Sequence, residues 1–449
     1  MAKAKTIYVC EECGSKARKW QGQCFDCGAW SSFKEQTETK KEAKTSRSLS
    51  LASPQKLNSI NSSLEERISS GISEFDRILG GGIVKDAVVI VSAEPGVGKS
   101  TILLQISANV VKNNKKVLYV SGEENEGQIR ARAERILGKI PEDLWVLCET
   151  NMDNILNAIE KINPDMIVVD SIQTVCLNEH LPSRPGGSVQ IMTCSDKLIE
   201  IAKNSEKAVF MVGQVTKSKE LAGVKSLEHA VDCFVHIEGD RKECLRTGYA
   251  LKNRYGSTDE LALFVMSSNG LIPIANPSEF FTTQREKPVA GCTKTICMEG
   301  TRPLIVEVEA LVTASRFLNP MRIAKGIDRQ DLQVLTAILE KKAGLSLGEQ
   351  DVYVKVAGGL KITEPAVNLG VIMAVVSGFK NEPLDDSHVF VGEVGLTGEI
   401  KPVPQIEKRL KEIEKMGFRK ATIPKGNLES TAKFKNLSIE EIVDIGNIA

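Results

Sequence analysis

A short glycine-bearing segment, AEPGVGKST at residues 93–101, constrains the fold of this chain more than any other feature. It follows the apolar run VVIVS at 88–92 and precedes ILLQISANVV, whose pattern predicts a helix. Strand, glycine turn and helix in that order are the context in which a backbone loop wraps phosphate groups. Gly96 and Gly98 let successive N–H groups face one point, and the helix N-terminus adds positive charge. The segment therefore predicts a nucleotide-binding P-loop in an α/β domain.

The chemistry of the loop residues predicts which part of a bound nucleotide each of them contacts. We expect Lys99 to reach the β- and γ-phosphates of ATP and Ser100 to ligate Mg²⁺. Ala93 stands where the usual pattern opens with Gly, a change that matters only if the position requires a positive φ. A glycine turn that binds nothing is the alternative, which the complete motif and its flanks disfavour. The other predicted contacts come from Glu94, Pro95, Gly96, Val97, Gly98 and Thr101.

Carboxylate and amide side chains stand at the ends of three further apolar runs. Asp170 ends MIVVD, Glu123 and Glu124 follow KVLYVSG, and Gln214 ends VFMVGQ. The carboxyl ends of parallel strands share one sheet edge, which places these groups beside the P-loop. We expect Asp170 to hold Mg²⁺ through water, Glu123 to activate the attacking water and Gln214 to sense the γ-phosphate. The alternatives are a turn aspartate, solvated surface acids and an amide bonded to backbone.

The distribution of apolar runs predicts several units in this chain of 449 residues, which is too long for one hydrophobic core. Residues 63–275 alternate short apolar runs with helical patterns, which predicts a mainly parallel sheet covered by helices on both faces. Residues 1–33 carry paired cysteines, 34–62 form a polar linker, and 285–449 are expected to be a separate α+β domain.

Four cysteines near the N-terminus are spaced as CxxC, ten residues, CxxC. Four thiolates at this spacing predict a structural Zn²⁺ site, without which so small a segment would not fold. The ligands are Cys10, Cys13, Cys24 and Cys27. Basic and aromatic residues around them favour a nucleic-acid contact, or equally a small tryptophan-covered core with solvated charges. They are Lys16, Arg18, Lys19, Trp20 and Trp30.

Charge and hydropathy exclude several classes of protein. Lys plus Arg and Asp plus Glu number 58 each, so any DNA affinity must come from local patches. The N-terminus lacks the apolar region of a secretory signal and no apolar run is long enough to span a bilayer, which predicts a soluble, cytoplasmic protein without a membrane partner. Polar, glycine-containing segments follow two predicted strands, and their cations are candidate DNA-phosphate contacts. These are Arg184, Lys217, Lys219 and Lys225.

The order of these features resembles the bacterial RadA (Sms) family of DNA repair proteins over nearly the whole chain. The stretches that carry the resemblance are YVCEECG, KWQGQCFDCGAW, SSGISEFDRILGGG, AEPGVGKST, LYVSGEE, VVDSIQT, KNRYGST and GLTGEIKPVP. Tyr255 departs from the family's usual Phe and keeps the ring. Gln214 stands where relatives typically have His, which weakens its assignment as a nucleotide sensor.

The resemblance implies a RecA-like ATPase core between a zinc finger and a Lon-protease-like domain. It also implies a hexameric ring with ATP between subunits, single-stranded or branched DNA in the channel, a RecA-type recombinase as partner, and helicase-like extension of recombination branches. The family's KNRYG motif spans Lys252, Asn253, Arg254, Tyr255 and Gly256. We expect Lys252 and Arg254 to act across a subunit boundary as arginine fingers do, or else to contact DNA phosphates.

The C-terminal stretches resemble Lon peptidases without their serine and lysine pair. TEPAVNLG places Ala366 at the nucleophile position and PQIEKRL places Glu407 near the lysine position, so peptidase activity is not expected. A shifted alignment would bring in Ser377 or Lys401. Two other functions stay open, namely a KaiC-type regulatory switch that phosphorylates itself and an ATP-dependent Lon-type protease.

Overall fold

The computed structural model describes residues 5–10, 16–17, 23, 33–38, 56, 66–178, 185–214, 225–239, 244–283, 285–429 and 434–447, with backbone alone at 5–10, 16–17, 33–38 and 225–226. The chain divides into two units, Met1–Ser63 and Leu64–Ala449. No helix among these described residues has the length and apolar character needed to cross a membrane.

The N-terminal unit contains a small antiparallel sheet. Its central strand, β1 (Lys5–Cys10), lies between β2 (Lys16–Ala17) and β3 (Phe33–Glu38). Tyr8 pairs with Ala17 on one side, and Cys10 pairs with Phe33 on the other. The strand therefore carries the first predicted zinc ligand at its end.

A nine-stranded sheet organises the first half of the larger unit, after a short antiparallel pair, β4 (Arg67–Ile68) and β5 (Ile83–Val84). Its strands are β6 (Val88–Ala93), β7 (Val117–Ser121), β8 (Leu144–Cys148), β9 (Met166–Asp170), β10 (Ala208–Gln214), β11 (Cys233–Glu238), β12 (Leu245–Asn253), β13 (Leu261–Ser267) and β14 (Gly270–Pro273). They lie in the order β14-β13-β12-β11-β6-β10-β9-β7-β8. Strands β6 to β11 pair in parallel, and β12 to β14 extend the sheet antiparallel.

Helices cover both faces of this sheet. They are α1 (Ser73–Ile78), α2 (Lys99–Lys112), α3 (Glu126–Leu137), α4 (Met152–Ile162), α5 (Ser188–Ser205) and α6 (Lys225–Ala230). In β6, Val89 and Val91 point into the core formed with α1, α2 and α3, whereas Val88 and Ile90 point into the core formed with α4 and α5. Because both faces are buried, the strand has an unbroken apolar sequence.

A seven-stranded mixed sheet organises the second half of the larger unit, in the order β17-β18-β16-β15-β19-β22-β23. The elements are α7 (Pro277–Phe280), β15 (Cys292–Glu299), β16 (Arg302–Ala314), β17 (Arg322–Lys325), α8 (Arg329–Ala343), β18 (Gln350–Val356), α9 (Asn368–Lys380), β19 (His388–Phe390), β20 (Glu393–Val394), β21 (Ile400–Lys401), α10 (Ile406–Lys415), β22 (Lys420–Pro424) and β23 (Ser438–Ile442). We propose that the boundary between the two halves lies between Pro273 and Cys292.

The predicted fold class is confirmed, with one addition. The strands expected at VVIVS, KVLYVS, MIVVDS and VFMVGQ are β6, β7, β9 and β10. The antiparallel extension was not predicted. Strand β13 shows that this extension connects the two halves of the larger unit. Ala262 and Phe264 pack into the core of the first half, whereas Leu263, on the opposite face of the strand, packs into the core of the second. One strand therefore belongs to both halves.

Candidate nucleotide-binding site

The loop between β6 and α2 has the backbone geometry that phosphate binding requires. Gly96 has φ +83° and Gly98 has φ +118°, both in the left-handed region that favours glycine. A Cβ atom at Gly98 would lie 2.7 Å from Leu271 Cδ1 and 2.7 Å from Met266 Cε, so the hairpin of β13 and β14 leaves no room for a side chain. Gly98 also precedes α2 without a side-chain cap, which leaves the first-turn amides as donors.

Lys99 is the first residue of α2 and crosses the loop. Its Nζ donates to the carbonyl oxygens of Ala93 at 2.8 Å and Glu94 at 3.4 Å. Burial lowers the pKa of the Lys99 ammonium below its usual value, while the negative charges of Asp170 and Glu123 oppose the change. Ala93 ends β6 and is not among the residues with positive φ, so glycine is not required there.

Asp170 and Glu123 are each held by a hydroxyl group. The Tyr119 hydroxyl donates to Asp170 Oδ2 at 2.6 Å, and the Ser171 hydroxyl donates to Glu123 Oε1 at 2.7 Å. Burial, together with the charge and hydrogen bond of Asp170, raises the pKa of Tyr119 well above its usual value, so this phenol remains a donor. Both carboxylates are oriented and both act on Lys99. Glu124, by contrast, pairs with Arg132 on α3.

Gln214 ends β10 directly opposite Ala93 in the parallel register, which places it at the same sheet edge as the P-loop. Its side chain is exposed. The structure thus brings Lys99, Asp170, Glu123 and Gln214 to one edge, as their positions at strand ends predicted. Their catalytic roles remain proposals.

The KNRYG residues lie at the edge of the sheet where β6 begins, whereas the P-loop lies at the edge where β6 ends. Asn253 pairs with Cys233, which pairs with Val89 near the start of β6. The P-loop begins four residues after Val89, a separation of about 13 Å along a strand. Lys252 and Arg254 therefore do not share a sheet edge with the P-loop of the same chain.

The described residues contain only part of the other predicted sites. Of the candidate DNA contacts, Arg184, Lys217 and Lys219 lie outside them, and Lys225 begins α6 with its backbone alone described. Cys10 ends β1, again as backbone, whereas the other three predicted zinc ligands, Cys13, Cys24 and Cys27, lie outside the described residues.

The positions aligned with a Lon dyad hold no nucleophile and no amine. Ala366 is buried among apolar side chains beside β15, and Glu407 pairs with Lys411 on the exposed face of α10. Ser377 is buried near the end of α9, where its hydroxyl donates to the carbonyl oxygen of Glu382 and accepts from the Gly291 amide. It is separated from Ala366 by almost the whole of α9, roughly 15 Å. Lys401 pairs with acidic neighbours.

Sequence reasoning missed the residues that support the site. Tyr119 and Ser171 orient the two carboxylates, and Arg246 donates from Nε to the carbonyl oxygen of Val97 in the loop at 3.3 Å. A buried arginine inside β12 and a tyrosine inside the apolar run of β7 were the available signals, because buried polar groups need partners.

Comparison with known families agrees with this architecture. Residues 8–35 match the rubredoxin metal binding domain, 52–220 the AAA domain and 324–427 the subunit ChlI of Mg-chelatase. A P-loop in an α/β sheet, preceded by a metal-binding ribbon and followed by a ChlI-like domain, defines a P-loop ATPase class of protein.

Full-length relatives narrow this class to a family. The chain is 43% identical over 454 aligned residues to the DNA repair protein RadA of Bacillus subtilis (strain 168), covering all of this chain and 98% of the relative. It is 44% identical over 434 residues to the DNA repair protein RadA of Halalkalibacterium halodurans, covering 95% of this chain and 94% of the relative. The chain belongs to the RadA family of DNA repair proteins, which confirms the resemblance drawn from its motifs.

Proposed function

We propose that this chain hydrolyses ATP and uses the energy to move on DNA during recombinational repair. The observation that carries the proposal is the convergence of Lys99, Asp170 and Glu123 at the P-loop edge of the sheet, where both carboxylates act on the Lys99 ammonium. A cation, uncapped helix amides, a hydroxyl and a carboxylate form a donor set that fits a nucleoside triphosphate with Mg²⁺. Bound Mg²⁺ would supply positive charge to the phosphoryl oxygens.

The chain's own residues divide the remaining work. Lys99 and the loop amides would hold the phosphates, while Ser100 would ligate Mg²⁺ and Asp170 would hold it through water. Glu123 orients the attacking water and accepts its proton, and its hydrogen bond from Ser171 fixes the direction of one carboxylate oxygen. The Tyr119 hydroxyl plays the equivalent part for Asp170.

We further propose that the second half of each nucleotide site comes from a neighbouring subunit. The P-loop and the KNRYG motif lie at opposite ends of the same sheet, so subunits in a closed head-to-tail ring can bring the two together. Lys252 and Arg254 would then stabilise the charge on the transferring phosphoryl group. The proposal includes a hexameric ring as the assembly, a RecA-type recombinase as partner, and single-stranded or branched DNA as the nucleic acid that is bound.

Replacing Glu123 with Gln tests the assignment of the base. We expect kcat for ATP hydrolysis to fall about 10²–10⁴-fold, because an amide accepts no proton, while ATP binding stays near the wild-type level. Unwinding of a branched DNA by the variant should be lost to the same degree. Phosphate release, nucleotide binding and a gel assay of the DNA product measure the three effects.

Glu124→Gln is the matched control, because that neighbouring carboxylate pairs with Arg132 instead of the site. Its rate should stay within a few-fold of wild type. If Glu124→Gln abolished hydrolysis and Glu123→Gln did not, the base would be assigned to the wrong residue. A wild-type chain that hydrolyses ATP but unwinds no branched DNA would remove the motor proposal and keep the ATPase.

We propose that the four paired cysteines hold one structural Zn²⁺, as the match to a metal-binding ribbon over residues 8–35 supports. Cys24→Ser should lower the zinc content of the purified chain from about one ion to near zero, because four thiolates complete the tetrahedral site. The ATPase core should keep its thermal transition, since it forms a separate unit. Elemental analysis with calorimetry checks both; full zinc retention would contradict the ligand set.

A further inference from the structure

A buried carboxylate, Asp232, lies between α6 and β11, at the end of the sheet opposite the P-loop. Its side chain is 4% exposed. Oδ2 accepts from the Val88 amide at 2.9 Å and from Lys203 Nζ at 2.9 Å, and Oδ1 accepts from Arg254 Nη1 at 3.0 Å. The Arg254 amide also donates to the Asp232 carbonyl oxygen at 3.0 Å. Asp232 therefore joins the start of β6 to the arginine of the KNRYG motif.

The environment of Asp232 keeps it charged. Burial alone would raise the pKa of this carboxyl, but hydrogen bonds from Lys203 and the Val88 amide and the charges of Lys203 and Arg254 lower it below its usual value. Asp232 is thus ionised at neutral pH and remains a fixed negative partner for the guanidinium. A buried charge held by three donors has little freedom to move.

Arg254 is anchored at one end and open at the other. Its side chain is 54% exposed although Asp232 is buried, so the guanidinium extends from the buried anchor towards the surface. The guanidinium carries five N–H groups, and the pair with Asp232 uses only part of that capacity. Lys252 is anchored in a similar way, since its Nζ donates to the carbonyl oxygens of Glu228 at 3.1 Å and His229 at 2.8 Å in α6.

We propose that Asp232 is a positioning residue for Arg254, holding the guanidinium in the orientation in which it meets the nucleotide of the neighbouring subunit. The inference rests on the proposed action of the KNRYG cations across a subunit boundary. A free arginine side chain would have to be ordered each time a phosphate is engaged, and the pair with Asp232 completes that ordering beforehand. Asp232 touches no substrate, and its effect passes through Arg254.

Asp232→Asn tests this role, because the amide can still accept from the Val88 amide but carries no charge. We expect kcat for DNA-stimulated ATP hydrolysis to fall about tenfold or more, with ATP affinity within a few-fold of wild type, since the P-loop is at the other edge. The matched control is Asp86→Asn, which removes a carboxylate that pairs with Lys203 at 2.8 Å. Among the described residues, the ion pair of Arg254 is with Asp232 and not with Asp86. The control should keep the wild-type rate.

Mixed rings separate positioning from a structural role. Asp232→Asn and Lys99→Ala chains are coexpressed, and rings that contain both are purified through two different tags. At about one quarter of the boundaries of such a head-to-tail ring, an intact P-loop from an Asp232→Asn chain meets a correctly held Arg254 from a Lys99→Ala chain. The mixture should therefore hydrolyse ATP several-fold faster than the mean of the two variants alone. If the Asn variant fails to bind ATP, Asp232→Glu, which keeps the charge, takes its place in the same mixture.

The outcomes distinguish this inference from the function on which it rests. Arg254→Ala with a wild-type rate would remove the proposed role of the motif across the boundary. An Arg254→Ala chain that regains activity in mixed rings, beside an Asp232 variant that does not, would make Asp232 structural and overturn the inference. A wild-type DNA-stimulated rate for Asp232→Asn would overturn it as well.

Discussion

Lys99→Ala is expected to lower kcat for ATP hydrolysis by about 10²–10³-fold and to weaken ATP binding, because it removes the cation that faces the phosphates. The ammonium group lies within the fields of Asp170 and Glu123, so its loss also leaves two carboxylates without their counter-charge. Phosphate release at saturating ATP and equilibrium binding of a fluorescent ATP analogue measure the two effects. Lys99→Ala should thus impair both ATP binding and hydrolysis, whereas Glu123→Gln should impair hydrolysis alone.

Lys112→Ala is the matched control, a lysine at the far end of the same helix with an exposed side chain. It should leave hydrolysis and the thermal transition unchanged, so that a loss in Lys99→Ala cannot be assigned to weakening of α2. A Lys99→Ala chain that hydrolyses ATP at the wild-type rate would contradict the assignment of the phosphate site.

Glu74→Ala is expected to cause the largest loss of stability. Glu74 on α1 is 2% exposed, and Arg302 Nη1 on β16 lies 3.0 Å from each of its carboxylate oxygens. The Leu263 amide on β13 donates to the same carboxylate at 3.0 Å. Removing Glu74 leaves the Arg302 cation without its carboxylate partner and the Leu263 amide without its acceptor at the junction of both halves. We expect a loss of about 3–5 kcal/mol in the free energy of unfolding.

Urea denaturation followed by circular dichroism measures this loss. Glu66→Ala is the control, because the Glu66 side chain is 80% exposed and pairs with Lys85 at the surface, where solvent screens the pair. The control should unfold at the wild-type urea concentration. If both variants unfolded at the same urea concentration as the wild type, the Glu74–Arg302 pair would have no role in joining the two halves.

The central strands of the fold could be predicted because each of them can be recognised from its own residues alone. β6, β7, β9 and β10 are buried on both faces, so each reads as a short unbroken apolar run. The antiparallel strands were not predictable in the same way. β13 divides its side chains between two cores that form only after the halves meet, and β12 contains a buried arginine that no strand pattern anticipates.

The same distinction holds for the site. The P-loop could be located because strand, turn and helix are contiguous, and Asp170, Glu123 and Gln214 because the ends of parallel strands share an edge. The contacts that orient these groups join distant segments. Tyr119 and Asp170 are 51 residues apart, and Ser171 and Glu123 are 48 apart. The role of Asp232 could not be predicted in this way, because its partners Val88 and Arg254 become its neighbours only when the sheet forms.

The most direct test of the central claim is the steady-state rate of ATP hydrolysis by the full chain, with and without single-stranded DNA and with Lys99→Ala in parallel. We predict a Lys99-dependent rate that DNA raises several-fold, because the proposed motor couples its nucleotide sites to nucleic acid. A Lys99-dependent rate that DNA leaves unchanged would contradict the DNA-driven motor while keeping the nucleotide site.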